Sequence, residues 1–145
     1  MIVAYCDCSV DLPLVSVGYV LFRSSNGDEE FLDSGVRLLN ADQCPRQINW
    51  TTMKAEYYAA IIATRAALDY DNSTLLLNCD SKETVRKIKQ DEWNKEAYFP
   101  HTLFSFLNRY NDWHLSNVDR SNNEAAHQQA RNGLRIGRDL QNGVL

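Results

Sequence analysis

The sequence predicts an α/β fold: a five-stranded mixed sheet with helices on its faces. Three observations carry this. Residues 1–39 read as three strands, with the hairpin signal Asn26-Gly27 between the second and third. An alanine-rich stretch from Thr52 to Leu68 has helical spacing. Beyond it, short apolar runs alternate with helical ones, giving the order β-β-β-α-β-α-α-β-α. The length, 145 residues, fits a single domain spanning 1–145.

Residues 1–10 (MIVAYCDCSV) are apolar in both alternating sets, which predicts a strand buried on both faces and central in the sheet. Residues 15–23 and 29–39 complete an antiparallel meander. Residues 40–51 form a loop containing Pro45. The next helix, 52–68, takes Thr52 as its N-cap. Ala55, Ala59, Ile62 and Ala66 form one stripe on it, and Glu56, Ala60, Ala63 and Ala67 the neighbouring one. Such small residues let a helix approach a sheet closely. Residues 73–79 (STLLLNC) form a short buried strand closed by Asp80, and SKETVRKIK opens a second helix. A third helix covers 99–110 with Phe104, Phe106 and Leu107 inward, a fifth strand covers 112–118, and a last helix runs from Asn122 to about Arg135.

Composition is that of an ordinary globular protein, with 44% hydrophobic and 23% charged residues. No apolar run approaches the ~20 residues of a membrane span. The N-terminus lacks the basic start and long apolar stretch of a signal peptide. A cytoplasmic, monomeric protein without a membrane partner is the expectation. Cys6, Cys8, Cys44 and Cys79 have no zinc-finger spacing and read as buried reduced thiols. The net charge of −4 runs against a broadly basic nucleic-acid binder, so any basic stripe must be local. Lys82, Arg86, Lys87 and Lys89 on the second helix are the candidates, with a solvated helix face as the plain alternative.

Three acidic residues sit in unusual places. Asp7 interrupts an apolar strand, where a lone carboxylate is costly unless it is paired or metal-bound. Glu56 lies on an alanine stripe. Asp80 closes a buried strand at the end where α/β sheets place ligand sites. Each also has a structural explanation. Asp7 could stand at a fraying strand end, Glu56 at a solvent boundary, and Asp80 as a helix cap with Glu83 at capping-box spacing.

These residues resemble the ribonuclease H family. Tyr5-Cys6-Asp7-Cys8-Ser9 matches its first-strand Tyr-x-Asp-x-Ser, and Ala55-Glu56-Tyr57-Tyr58-Ala59 matches its helix motif. Asp80-Ser81-Lys82 matches the end of its fourth strand, and the stretch from Val118 to Ala130 resembles its last element. The resemblance, to the type 1 enzymes, covers nearly the whole chain. It implies a ribonuclease H-like fold, with three antiparallel strands followed by parallel ones. It also implies an endonuclease that cuts the RNA strand of RNA–DNA hybrids with two divalent ions, Mg²⁺ or Mn²⁺, flanking the scissile phosphate. Asp7 would be shared between the ions, Glu56 and Asp80 would complete the leaving-group side, and position 127 would serve the water side. Ser9, Thr52, Ser81, Arg120 and Asn123 are the candidate nucleic-acid contacts.

The chain departs from the family pattern in several places. His127 stands where the family has a fourth acid. Imidazole favours transition metals over Mg²⁺, which leads to the expectation that Mn²⁺ supports activity better. The alternative is that His127 is a surface residue of a degenerate site. Asp11-Leu12-Pro13-Leu14 replaces a glycine-rich turn, and Thr52-Met53 replaces paired asparagines. Both regions contact the hybrid in relatives, so strand discrimination is an open point. His114 comes too early for the mobile histidine of some relatives, and the basic protrusion is replaced by Gln90-Asp91-Glu92-Trp93-Asn94-Lys95. Trp93 and Tyr98 could stack on bases, though packing explains them as well. The alternative functions are a nuclease of the same fold with another nucleic-acid substrate and a catalytically weak nucleic-acid-binding module.

Overall fold

Three long strands open the chain: β1 (Ile2–Asp11), β2 (Leu14–Ser25) and β3 (Asp28–Asn40). They pair antiparallel in sequence order, with Asp7 opposite Gly18 and a register shift in β2 between Leu21 and Phe22. The β2–β3 turn places Asn26 at φ 53° and Gly27 at φ 84°, the left-handed pair that suits the twist of a hairpin. The computed structural model describes residues 1–40, 50–91 and 97–143. Cys44, Pro45, Glu92, Trp93, Asn94 and Lys95 lie outside these described residues.

The remaining elements are α1 (Thr52–Ala67), β4 (Thr74–Cys79), α2 (Lys82–Asp91), α3 (Tyr98–Leu107), β5 (Asp112–Asn117) and α4 (Glu124–Gln141). The sheet order is β3-β2-β1-β4-β5, and β4 and β5 run parallel to β1 and to each other. β1 is central, as its two apolar faces require, and Ile2, Val3, Ala4 and Cys6 are all buried. The expected mixed sheet, antiparallel then parallel, is the one observed.

Four local expectations are corrected. The N-cap of α1 is Thr51, whose hydroxyl accepts from Lys54 N at 3.2 Å, and Thr52 is the first helical residue. The cap of α2 is Ser81, which accepts from Thr84 N at 3.2 Å, so capping does not account for Asp80. On α3, Phe106 is only partly buried, while Phe99 and Leu103 join Phe104 and Leu107 in the core. The fourth correction is that α4 continues through Gly133 and Gly137 to Gln141. Gly133 and Gly137 serve packing. A Cβ at Gly137 would stand 2.6 Å from Leu38 Cδ2, and one at Gly133 would stand 2.3 Å from Ser16 Oγ. These glycines let α4 lie directly on β2 and β3.

The two helices flanking the sheet approach it by different means. On one face α1 presents Ala55, Ala59, Ala60, Ala63 and Ala67, all buried. On the other, α4 settles over Gly18, where a Cβ would stand 2.7 Å from Ala130 N. Gly18 lies opposite Asp7 in the strand register, so the closest approach of α4 occurs beside Asp7.

Candidate active site

The parallel pairing of β1 with β4 sets Cys6 beside Cys79, so Asp80 leaves the carboxyl end of β4 next to Asp7 in the middle of β1. Glu56 reaches the same place from the first turns of α1. The three carboxylates share a cavity of about 10 Å³ with Cys6, Cys79, Ser81 and Thr84, room for roughly one water-sized species. Beneath it the thiols of Cys6 and Cys79 lie 3.3 Å apart and buried.

Each carboxylate is held. Asp7 is 5% exposed. Its Oδ1 accepts from Cys8 N at 2.9 Å, and its Oδ2 lies 2.7 Å from His127 Nδ1. Glu56 accepts from the hydroxyl of Thr84, a fully buried residue whose Oγ1 also lies 3.0 Å from that of Ser81. Asp80 has a buried Oδ2 with no hydrogen-bond partner among the described residues. Arg120 Nε stands 3.4 Å from this oxygen but is not aligned to donate, and its side chain is 62% exposed.

The electrostatics follow from this crowding. Burial pushes the Asp7 carboxyl above its ordinary pKa, Asp80 pushes it further, and the hydrogen bonds from His127 and Cys8 pull against both. Glu56 is likewise raised, first by burial and then by Asp7 and Asp80, against the hydroxyls of Thr84 and Ser81. Burial and the charges of Glu56, Asp7 and Asp80 raise the Cys8 thiol as well. Carboxylates arranged this way repel one another, and a cation placed among them removes the penalty.

The donor set suits a divalent ion. Ligand atoms of Asp7, Cys8 and Glu56 lie within 4.8 Å of one another, and Asp80 borders the same cavity. Carboxylate oxygens are hard donors of the kind Mg²⁺ and Mn²⁺ take. His127 contacts the cluster through Asp7 from the α4 side. With Nδ1 committed to Asp7, Nε2 is the ring atom left to bind an ion or accept a proton.

The candidate nucleic-acid contacts separate in space. Ser81 borders the cavity, and Arg120 stands beside Asp80. Ser9 lines a different groove, against α4, and Thr52 is exposed at the start of α1. Asn123 is 1% exposed, and its amide donates to Cys6 O at 3.0 Å. It fastens the start of α4 to β1 and presents no surface to a ligand. His114 pairs with Asp112 at 2.9 Å, outside the site. The α2 cations are partly neutralised, since Arg86 pairs with Glu83 at 2.7 Å and Lys87 with Asp91 at 3.1 Å. Tyr98 packs edge-on against Phe99.

Three contributors escape the sequence reading. Thr84 is one turn into α2 and signals nothing by itself. Cys8 reads as a core thiol. Gly18, which admits α4 and so brings His127 to Asp7, looks like an ordinary strand glycine.

The same architecture occurs in solved structures of low identity. RNase H1 from the halophilic archaeon Halobacterium salinarum NRC-1 is 23% identical with a TM-score of 0.72, over 93% of this chain and 98% of that one. The N-terminal RNase H domain of a Mycobacterium tuberculosis protein, solved as a fusion with maltose binding protein, is 14% identical with a TM-score of 0.77, over 97% of each chain. LC11-RNase H1, solved in complex with an RNA/DNA hybrid, is 16% identical with a TM-score of 0.66, over 89% of this chain and 93% of that one. The fold is therefore ribonuclease H-like. No curated protein sequence matches the chain. The Reverse transcriptase-like family model matches residues 32–133, from β3 into α4 and across Glu56, Asp80 and His127. On that match, which spans well over half of its length, the chain belongs to the Reverse transcriptase-like family.

Proposed function

We propose that this chain is a type 1-like ribonuclease H: a metal-dependent endonuclease that hydrolyses the RNA strand of RNA–DNA hybrids, with His127 in place of a fourth acid. The supporting observation is the meeting of Asp7, Glu56 and Asp80 on one small cavity at the carboxyl edge of the sheet. Burial disfavours the charged forms of Asp7 and Glu56 more than their hydrogen bonds favour them, so this is a costly arrangement for a purely structural cluster. Divalent ions bound there would supply Lewis-acid charge at the scissile phosphate and ease deprotonation of the attacking water.

The chain's own residues do the positioning. Cys8 N and His127 fix the two oxygens of Asp7, so that it presents a defined face to the cavity. Thr84 orients Glu56, and the hydroxyls of Thr84 and Ser81 favour its ionised form against the burial that raises it. Arg120, next to Asp80 and largely exposed, offers a guanidinium to a backbone phosphate. His127 Nε2 serves as an ion ligand or a proton acceptor. A nitrogen donor at this position favours Mn²⁺ over Mg²⁺.

The test is cleavage of an end-labelled hybrid in Mg²⁺ and in Mn²⁺, with Asp7→Asn as control. The expected outcome is internal cuts in the RNA strand, faster in Mn²⁺, and none from Asp7→Asn. His127→Asp should shift the preference toward Mg²⁺, and the same preference in both proteins would sink the metal assignment. One observation favours a second reading. His127 Nδ1 is engaged by Asp7, where the family pattern places a further anion, and this suits a weakly catalytic binding module. Hybrid binding indifferent to chelator, with no cleavage in either metal, would select that reading.

A further inference from the structure

We infer that the outward face of α4 is a track for the sugar-phosphate backbone of the bound nucleic acid, with Arg131 and Arg135 as its phosphate contacts. The inference rests on the nucleic-acid reading above and extends it to a surface outside the carboxylate cavity. His127, Arg131, Arg135 and Arg138 follow one another at intervals of three or four residues, so they share one side of the helix. The arginines border a groove of about 590 Å³ with Ser9, Gln128 and Asn132, and among the described residues no acidic side chain lines it. Ser9 lies two residues beyond Asp7 on β1, and Gln128 follows His127, so the groove starts at the edge of the carboxylate site.

The length is suitable. From His127 to Arg138 the helix rises about 16 Å, over which one strand of a duplex presents roughly five phosphates. The charges differ in availability. Arg138 is tied to Asp11 at the end of β1. Arg131 and Arg135 are exposed, and no described acidic residue forms an ion pair with either. Glu124 and Asp139 are the acids carried by the same helix, and neither lines the groove. On a chain of net charge −4, two unengaged guanidiniums beside a groove make a local attraction for a polyanion. The α2 cations are a weaker candidate because two of the four are held by their own helix's acids.

The test is binding of a fluorescein-labelled 18-base-pair RNA–DNA hybrid, followed by anisotropy across a salt series in chelator, so that no cleavage intervenes. Three full-length proteins are compared: wild type, Arg131→Ala/Arg135→Ala, and Arg23→Ala/Arg109→Ala, which removes equal charge elsewhere. The double variant on α4 should bind about tenfold more weakly at low salt, with the slope of log K against log salt reduced by roughly two. In cleavage it should raise KM and leave kcat unchanged. A slope equal to that of the Arg23→Ala/Arg109→Ala protein overturns the inference, as does a wild type that fails to bind hybrid at low salt. Polyglutamate competing as well as hybrid of equal charge also overturns it, because the face would then take any polyanion. A wild type that binds with the expected slope but cuts nothing in either metal defeats the nuclease reading and leaves this inference standing.

Discussion

The two helices that sandwich the sheet at Asp7 bring it opposite chemistry. α1 packs through alanines and delivers Glu56, held by the Thr84 hydroxyl at the α2 start. α4 packs through glycines on both sides of the contact and delivers an imidazole, followed by arginines. The α1 side concentrates negative charge where cations would sit. The α4 side carries neutral or positive groups where a polyanion would lie. The closeness of each helix to the sheet, set by removing side-chain volume, determines which functional group reaches the centre.

The largest expected effect that separates these sides is on the α1 side. Thr84→Val keeps the shape of a fully buried side chain and removes the hydroxyl that donates to Glu56. Loss of such an orienting partner should weaken divalent-ion affinity or activity by about 10- to 100-fold. Gln129→Ala, which removes a hydrogen bond from α4 to Ser34, should leave both nearly unchanged. Steady-state rates across a Mn²⁺ titration compare the two variants.

A smaller effect probes the packing itself. Gly18→Ala sets a methyl against the backbone of Ala130 and should destabilise by about 1–3 kcal/mol. The opposite change on the other face, Ala59→Gly, should cost about 0.5–1 kcal/mol through helix entropy. For a chain of this size each kcal/mol lowers Tm by about 2–4 °C. Gly18→Ala should also loosen His127 from Asp7 and so reduce any Mn²⁺ preference, which Ala59→Gly should not. Thermal melts and the ratio of rates in the two metals are the readouts.

The smallest effect concerns pH. Asp7 and Glu56 are raised above ordinary values of 3.8 and 4.5 in the folded state. The folded protein therefore holds these protons longer than the unfolded chain does. Their favourable contribution is complete below the ordinary values and is lost as pH climbs through the raised ones. Without divalent ions, stability should fall across that interval, starting near about pH 4, and Asp7→Asn should flatten the fall. Melting temperature against pH in chelator, for wild type and Asp7→Asn, checks the sign.

Much of this architecture is legible in the residues. The Asn26-Gly27 turn is local chemistry, and its positive φ values follow from residue type. The central place of β1 follows from its two apolar faces, and Asp7, Glu56 and Asp80 draw notice because each breaks an apolar pattern. What escapes depends on partners distant in sequence. Thr84 matters because α2 sets it against Glu56, and Gly18 because α4 passes above it. The last helix runs past Arg135 to Gln141, and Gly137 within it is a packing surface for Leu38. An end near Arg135 cuts the arginine series short of Arg138. Asn123, polar and next to a helix start, reads as a ligand contact until its amide is found bound to Cys6 O.

Calorimetric titration of Mn²⁺ into the metal-free protein addresses the cation site most directly, because it needs neither substrate nor turnover. Wild type should bind the ion, and Asp7→Asn and Glu56→Gln should each weaken that binding strongly while remaining folded. Unchanged Mn²⁺ affinity in both variants would mean that these carboxylates do not hold a cation, and the functional account would fail with them.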